Sequence, residues 1–276
     1  MKNCRFGDEK NGAGKFMITN EYFRDYRKKI GFTTQNDAKI FLGAKDIVPG
    51  VDFEYMKLLN ERLIKIFATI NQAISPEIKA DDIGDFCRNN ITDVFEIMKS
   101  NDIIKQLNNQ GRRPEQVYFS WMRGYASANF FLKSLSLIFG VDLSKMQLIG
   151  DDDFKKVETF QRTAKADLEI AVPNNKRIRI EMQSGFTGIN DIKQHKVLEA
   201  KRTYEQFKVP TMAIHYDLYN GQVAFLRLDA IKESDMNWIT RQQMEGQTVF
   251  NIDQNYFTWK LTEPPVSFDL MGKELL

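Results

Sequence analysis

Three residues near the middle of the chain, Asp167, Glu181 and Gln183, combine the types and spacing that metal-assisted chemistry uses. They belong to KADLEIAVPNNKRIRIEMQS, residues 165–184, where two alternating apolar runs flank Pro173, Asn174 and Asn175. Alternation at period two marks half-buried strands, and Pro-Asn-Asn marks the turn of a hairpin. Leu168, Ile170 and Val172 then share one face with Ile178, Ile180 and Met182. Asp167, Glu169, Arg177, Arg179, Glu181 and Gln183 take the other. A three-residue loop sets Ile170 against Ile178, Leu168 against Ile180, and Glu169 against Arg179 as a structural ion pair. In the same register Asp167 falls opposite Glu181. Two acids facing each other destabilise a sheet. A hard divalent cation is the natural neutraliser, because Mg²⁺ is held by one or two carboxylates plus water and substrate phosphate. The backbone carbonyl of Met182 supplies a further oxygen from the same strand.

Asp167, a short hairpin and then Glu181-Met182-Gln183 resemble the core motif of the PD-(D/E)XK nuclease superfamily, over roughly residues 115–231. In that family an acid on one strand and an acid-x-Lys triplet on the next bind metal and activate water. Here Lys165-Ala166 stands where Pro often precedes the first acid, and Gln183 stands where Lys is usual. Gln at that position points toward the type II restriction endonucleases. The resemblance implies Mg²⁺-dependent hydrolysis of phosphodiester bonds in duplex DNA at a short sequence, with Mn²⁺ able to substitute. Asp167, Glu181 and Gln183 would be catalytic. Asp167, Glu181 and the Met182 carbonyl would hold metal, polarising the phosphate and lowering the pKa of a water. Gln183 would orient that water through its amide. Lys193 or Lys196 would supply the missing cation, and Glu158 or Glu115 a further carboxylate. The resemblance also implies a homodimer matched to a palindromic site and a companion DNA methyltransferase. Two alternatives stand beside this reading: a repair or recombination nuclease that reads DNA structure, and a DNA-binding protein with a degenerate core. For the three residues alone, a solvated polar face of an edge hairpin is the bland alternative.

The flanking segments suit such a core. Residues 190–207 predict an amphipathic helix capped by Asn190 or Asp191, with Val197, Ala200, Tyr204 and Phe207 on one stripe. Residues 209–217 read as an apolar strand, Asn220-Gly221 as a turn, and residues 222–231 as another strand. Residues 116–139 predict one long buried helix, with Gly124, Ala126, Ser127 and Ala128 allowing close approach to the sheet and Gly140 ending it. Strand, strand, helix, strand, strand predicts an α/β fold: a restriction-endonuclease-like core with a central mixed β-sheet flanked by helices.

Residues 1–110 read as a mainly helical N-terminal region ahead of a core over 111–276, the two being separate or one compact domain. Helices are expected over 53–73, 81–97 and 102–107. Residues 20–42 interleave Tyr22, Phe23 and Tyr26 with Arg24, Arg27, Lys28 and Lys29, as a helix-turn-helix-like DNA reader would. A solvated basic helix end fits the same residues. Arg112 and Arg113, in the loop 108–115, are further candidates for phosphate contact, and the loops 108–113 and 183–194 for base reading.

Composition narrows the field without deciding it. With 39 Lys and Arg against 37 Asp and Glu the net charge is only +2, so any DNA contact must come from local patches. No stretch long enough to span a membrane and no signal-peptide core is read, and Cys4 and Cys87 form neither a disulfide framework nor a metal spacing. A cytoplasmic protein without a membrane partner is expected. Gly12-Ala13-Gly14-Lys15-Phe16 lacks the Ser or Thr of a phosphate loop. His195 and His215 are the only histidines, too few for a zinc cluster.

Overall fold

The computed structural model describes residues 18–47, 50–107, 112–149, 166–172, 176–241 and 247–268. The expected hairpin is present. Strands β2 (Leu168–Val172) and β3 (Lys176–Gly185) pair antiparallel with Leu168 against Ile180, Glu169 against Arg179 and Ile170 against Ile178. Leu168, Ile170, Ile178 and Ile180 are buried, which fixes the register, since a one-residue slip would turn every one of these side chains to the other face. Glu169 meets Arg177 at 3.0 Å and Arg179 at 3.4 Å, the ion pair expected on the polar face.

The hairpin belongs to a six-stranded mixed sheet. β1 (Met146–Leu148) lies outside β2; β5 (Thr211–Asp217) runs parallel to β3; β6 (Gln222–Arg227) and β9 (Phe257–Lys260) complete the other side. The parallel step needs a crossover, supplied by α8 (Gln194–Phe207). Side chains alternate between two buried faces. Ile178, Ile180, Met212, Ile214, Tyr216 and Phe225 join one cluster with the helices α3 (Phe53–Ala73), α5 (Asp93–Ser100), α6 (Pro114–Phe130) and α7 (Leu132–Phe139). Ala213, Ala224 and Leu226 join a second cluster with Val197 and Ala200 of α8 and Ile192, Phe250 and Ile252. The fold is therefore α/β, a central mixed sheet flanked by helices, and α3 and α5 share their core with the sheet. No described helix is long and apolar enough to cross a membrane.

Several boundaries differ from the sequence reading. The helix over 116–139 is broken at Phe131. That ring stacks on Tyr216 at 4.1 Å, and the Ser134 hydroxyl donates to the Phe131 carbonyl at 2.7 Å while meeting Tyr216 Oη at 2.9 Å. Gly140 does end the second piece, at φ +61. The helix expected from 190 begins at Gln194. Asp191–Lys193 instead form β4, which pairs with β8 (Gln247–Asn251), itself paired with β7 (Trp238–Arg241). Arg241 and Asn251 hold the Asp191 carboxylate at 2.8 and 3.0 Å, so it caps nothing. Thr203 rather than Phe207 completes the buried stripe of α8; Phe207 is exposed. The strand from 222 stops at Arg227, and a one-turn 3-10 helix follows. Residues 81–97 form α4 (Ile83–Cys87), a π turn (Arg88–Thr92) and α5, and within 102–107 only a 3-10 turn at Ile104–Gln106 is found. The basic segment 20–42 is two helices, α1 (Asn20–Lys29) and α2 (Gln35–Leu42), between which only Ala38 is buried.

Candidate metal-binding site at the end of the hairpin

The β2–β3 ladder ends at Leu168 and Ile180, and Asp167 lies one residue beyond it, in a bend. Its N–H donates to the Ile180 carbonyl at 3.0 Å, and its Oδ2 accepts the Met182 N–H at 2.6 Å. Within a strand the N–H and C=O of one residue point to the same edge. The Met182 carbonyl therefore faces the edge where Asp167 sits, past the last residue of β2 that pairs with β3. Glu181 stands on the sheet face that carries Ala213, its register partner on β5, and so beneath α8.

Glu181 is 5% exposed. Burial and then the charge of Asp167 push its carboxyl up to about 8, against the opposing pull of Lys196 and the Gln183 amide. Lys196, on the first turn of α8, reaches Glu181 Oε2 with its Nζ at 2.9 Å. A buried carboxylate whose ionisation a second carboxylate makes costlier, a main-chain carbonyl on the same edge and an amide nearby make an all-oxygen donor set. It fits a hard cation such as Mg²⁺, which takes few protein ligands and keeps its water. Among the described residues no group of three or more His, Cys, Asp or Glu side chains is placed to hold a metal, so a nitrogen- or sulfur-rich transition-metal site is not formed there.

The other sequence candidates fall in different places. Gln183 follows Glu181 on the same face, in register with His215 of β5. Lys193 is exposed on β4. Glu115 is fully buried at the start of α6, where it accepts the Asp52 N–H at 2.6 Å and both Arg113 contacts at 3.0 and 3.1 Å. Those bonds commit it to fixing the helix start, and it is withdrawn as a metal ligand. They also tie Arg113 to Glu115, while Arg112 is exposed. Arg27 and Lys28 are in the last turn of α1. Glu158, residues 173–175 and residues 108–111 lie outside the described residues.

One polar cluster escaped the sequence reading. Asn190, His215 and Asp217 are buried and linked: His215 Nε2 to Asn190 Oδ1 at 2.8 Å, and Asn190 Nδ2 to Asp217 Oδ2 at 3.1 Å. Burial alone would raise the Asp217 carboxyl, but hydrogen bonds from Asn220, Asn190 and Gln222 outweigh it and hold the group below its ordinary value. The readable signal was two polar residues, His215 and Asp217, at alternate positions of an otherwise apolar strand.

No protein-family model matches the chain, and no curated protein matches its sequence. Among solved structures, Hjc, a Holliday junction resolvase from the archaeal hyperthermophile Archaeoglobus fulgidus, aligns with 52% of this chain and 97% of its own. The identity is 11% and the TM-score 0.32, a likeness too loose to bear on the chemistry of the site.

Proposed function

We propose that the protein is a metal-dependent nuclease that hydrolyses phosphodiester bonds in duplex DNA. The observation that carries this reading is the meeting of Asp167 and Glu181 where β2 leaves β3, with Glu181 buried and Lys196 against it. Asp167, Glu181 and the Met182 carbonyl would hold the cation. The chemistry supplied by a bound Mg²⁺ or Mn²⁺ is polarisation of the scissile phosphate and a lowered pKa of a nearby water. Gln183 orients the attacking water through its amide and cannot itself act as a strong base. Lys196 takes the part left open by a Gln at position 183: it neutralises charge that builds on the phosphate in the transition state. That placement favours a working site over a degenerate one. Sequence-specific cutting in the manner of a type II restriction endonuclease is the finer reading, with a homodimer addressing both strands and a partner methyltransferase protecting the host.

The test is incubation of the purified protein with unmethylated phage-length duplex DNA, with Mg²⁺ and with EDTA, beside Glu181→Ala. Discrete Mg²⁺-dependent fragments, lost in the variant, support the reading down to its sequence specificity. Cutting confined to branched substrates would keep the nuclease and replace the restriction assignment. Full cleavage by a folded Glu181→Ala protein would remove Glu181 from the mechanism.

A further inference from the structure

Arg123 is a fixed cation that no described carboxylate neutralises. It is half-buried on α6, with its guanidinium carbon 5.1 Å from the centre of the Phe119 ring and 4.6 Å from that of Phe186. The rings hold the charge in place without cancelling it. Its Nε–H is buried and meets no acceptor among the described residues. The two amino groups at the tip meet none either and are not buried, so they open to solvent. Burial pulls the pKa down with no acid to oppose it, yet a guanidinium stays charged. Arg179, Arg227 and Arg241, half-buried on the sheets, meet carboxylates at 3.4, 2.9 and 2.8 Å.

The groups beside Arg123 are donors of the same kind. Ser127, one turn further along the same face of α6, is 3% exposed, and its Oγ has no partner among the described residues. It lines a small open cleft with Gly124, Met182 and Ser184, with room for about one water-sized atom. Gly124 is exposed, and a Cβ there would meet nothing within 4 Å, so close packing on the sheet does not require this glycine. The Ile180 carbonyl and the Met182 N–H both turn toward Asp167. By alternation the Ser184 N–H turns to the same edge, past the last residue of β2 that pairs with β3. A guanidinium, a buried hydroxyl and a strand-edge N–H suit an anionic oxygen. Ser184 stands about 10 Å along the strand from Glu181, so the cleft adjoins the candidate metal site.

We infer that Arg123, Ser127 and the Ser184 N–H form a subsite for one backbone phosphate of bound DNA, beside the scissile one. A phosphate oxygen enters the cleft over Gly124 and accepts from Ser127 and Ser184, and the tip of Arg123 donates to the others. Such a contact sets the position of the strand against the metal site without reading a base. It rests on the nuclease reading of the Asp167–Glu181 site.

The test is binding of duplex DNA in EDTA, where nothing is cut, over a salt series. Arg123→Met keeps an unbranched stem between the rings. It should bind about 10-fold more weakly, the scale of one hydrogen bond to a charged group, with thermal stability held. The slope of log affinity against log salt should flatten by about 0.9, and Arg123→Lys should restore it. Gly124→Ala should raise the thermal midpoint, because alanine is the better helix former, and yet weaken binding. A packing role for these residues predicts neither result. Duplex binding with an unchanged slope in Arg123→Met, or with full affinity in Gly124→Ala, would overturn the subsite and leave the nuclease reading standing. Nitrogen-15 NMR with inorganic phosphate covers the remaining case. A protein that binds no duplex, but whose Arg123 Nε–H signal shifts saturably with phosphate, would fail the nuclease reading and keep the anion site for a free phosphate. Neither duplex binding nor a shift would overturn both.

Discussion

A carboxylate as buried as Glu181 is costly to ionise, and its neighbour Asp167 adds to the cost. In the metal-free fold it keeps its proton up to about 8, whereas the unfolded chain loses it near 4.5. Through that window the folded state binds the extra proton, so stability falls as pH rises, by at most about 1.4 kcal/mol per unit. His215 acts in the opposite sense. Held neutral in the fold down to about 4 against an ordinary 6.5, it makes stability rise with pH over that interval. The two offset each other below 6.5 and leave Glu181 alone between 6.5 and 8. Metal-free wild type should therefore lose about 1–2 kcal/mol over that last interval in urea titrations. Glu181→Gln should flatten the slope, and so should saturating Mg²⁺ in the wild type. A flat wild-type profile without metal would mean that Glu181 ionises cheaply and that the repulsion argument is wrong. Lys196 belongs to the same scale. Lys196→Met should lower kcat by about 10²-fold or more with little change in KM, because a cation that stabilises developing charge acts in the transition state. Adding Gln183→Lys to that variant should recover part of the loss, since it returns a cation to the same face of β3. No recovery would mean that the lysine must approach from α8.

At the scale of elements, the hairpin was legible because everything that specifies it is local. The period-two alternation names the faces, and burying both apolar rows fixes the register, including the Glu169–Arg179 pair. The meeting of Asp167 and Glu181 followed from that register, although Asp167 reaches it from a bend through the Met182 N–H rather than from a paired strand. The start of α8 was not legible, because what holds Asp191–Lys193 as a strand is β8, whose residues lie about sixty positions further along the chain. The break at Phe131 depends likewise on Tyr216. The cluster of Asn190, His215 and Asp217 was hidden in part for the same reason: His215 and Asp217 stand on one strand, but Asn190, which links them, lies 25 residues before His215. They also depend on Gly185, where an added Cβ would come within 2.8 Å of Asn190 Oδ1 and 3.0 Å of His215 Nε2. Gly185→Ala should thus push the cluster apart and destabilise the fold by about 1–3 kcal/mol, the usual cost of overpacking. Urea unfolding of the variant checks it, and an unchanged midpoint would show that the cluster yields to the added methyl without cost.

For the whole molecule, a net charge of +2 gives no general attraction to a polyanion, so any binding to duplex DNA would have to be built from local concentrations of charge. The last turn of α1 gathers Arg27, Lys28 and Lys29 beside the stacked rings of Tyr22 and Tyr26, 6.5 Å between centroids. No residue of α1 is buried, so its side chains are poorly placed to serve the core and well placed to meet a partner. Replacing both Arg27 and Lys28 with Gln should leave folding stability within about 0.5 kcal/mol, as surface changes generally do. Each phosphate contact contributes about 0.9 to the slope of log affinity against log salt, so loss of two should flatten that slope by about 2 and weaken binding on every sequence alike. Mg²⁺ affinity at Glu181 should not move, because nothing in α1 contributes a group to that site. Binding titrations over a salt series, with and without the two substitutions, would decide it. An unchanged slope would place the electrostatic footprint elsewhere, with Arg112 the next residue to replace. A flattened slope with cleavage lost only in proportion to binding would show that α1 delivers DNA to a site that α8 and the β2–β3 hairpin complete.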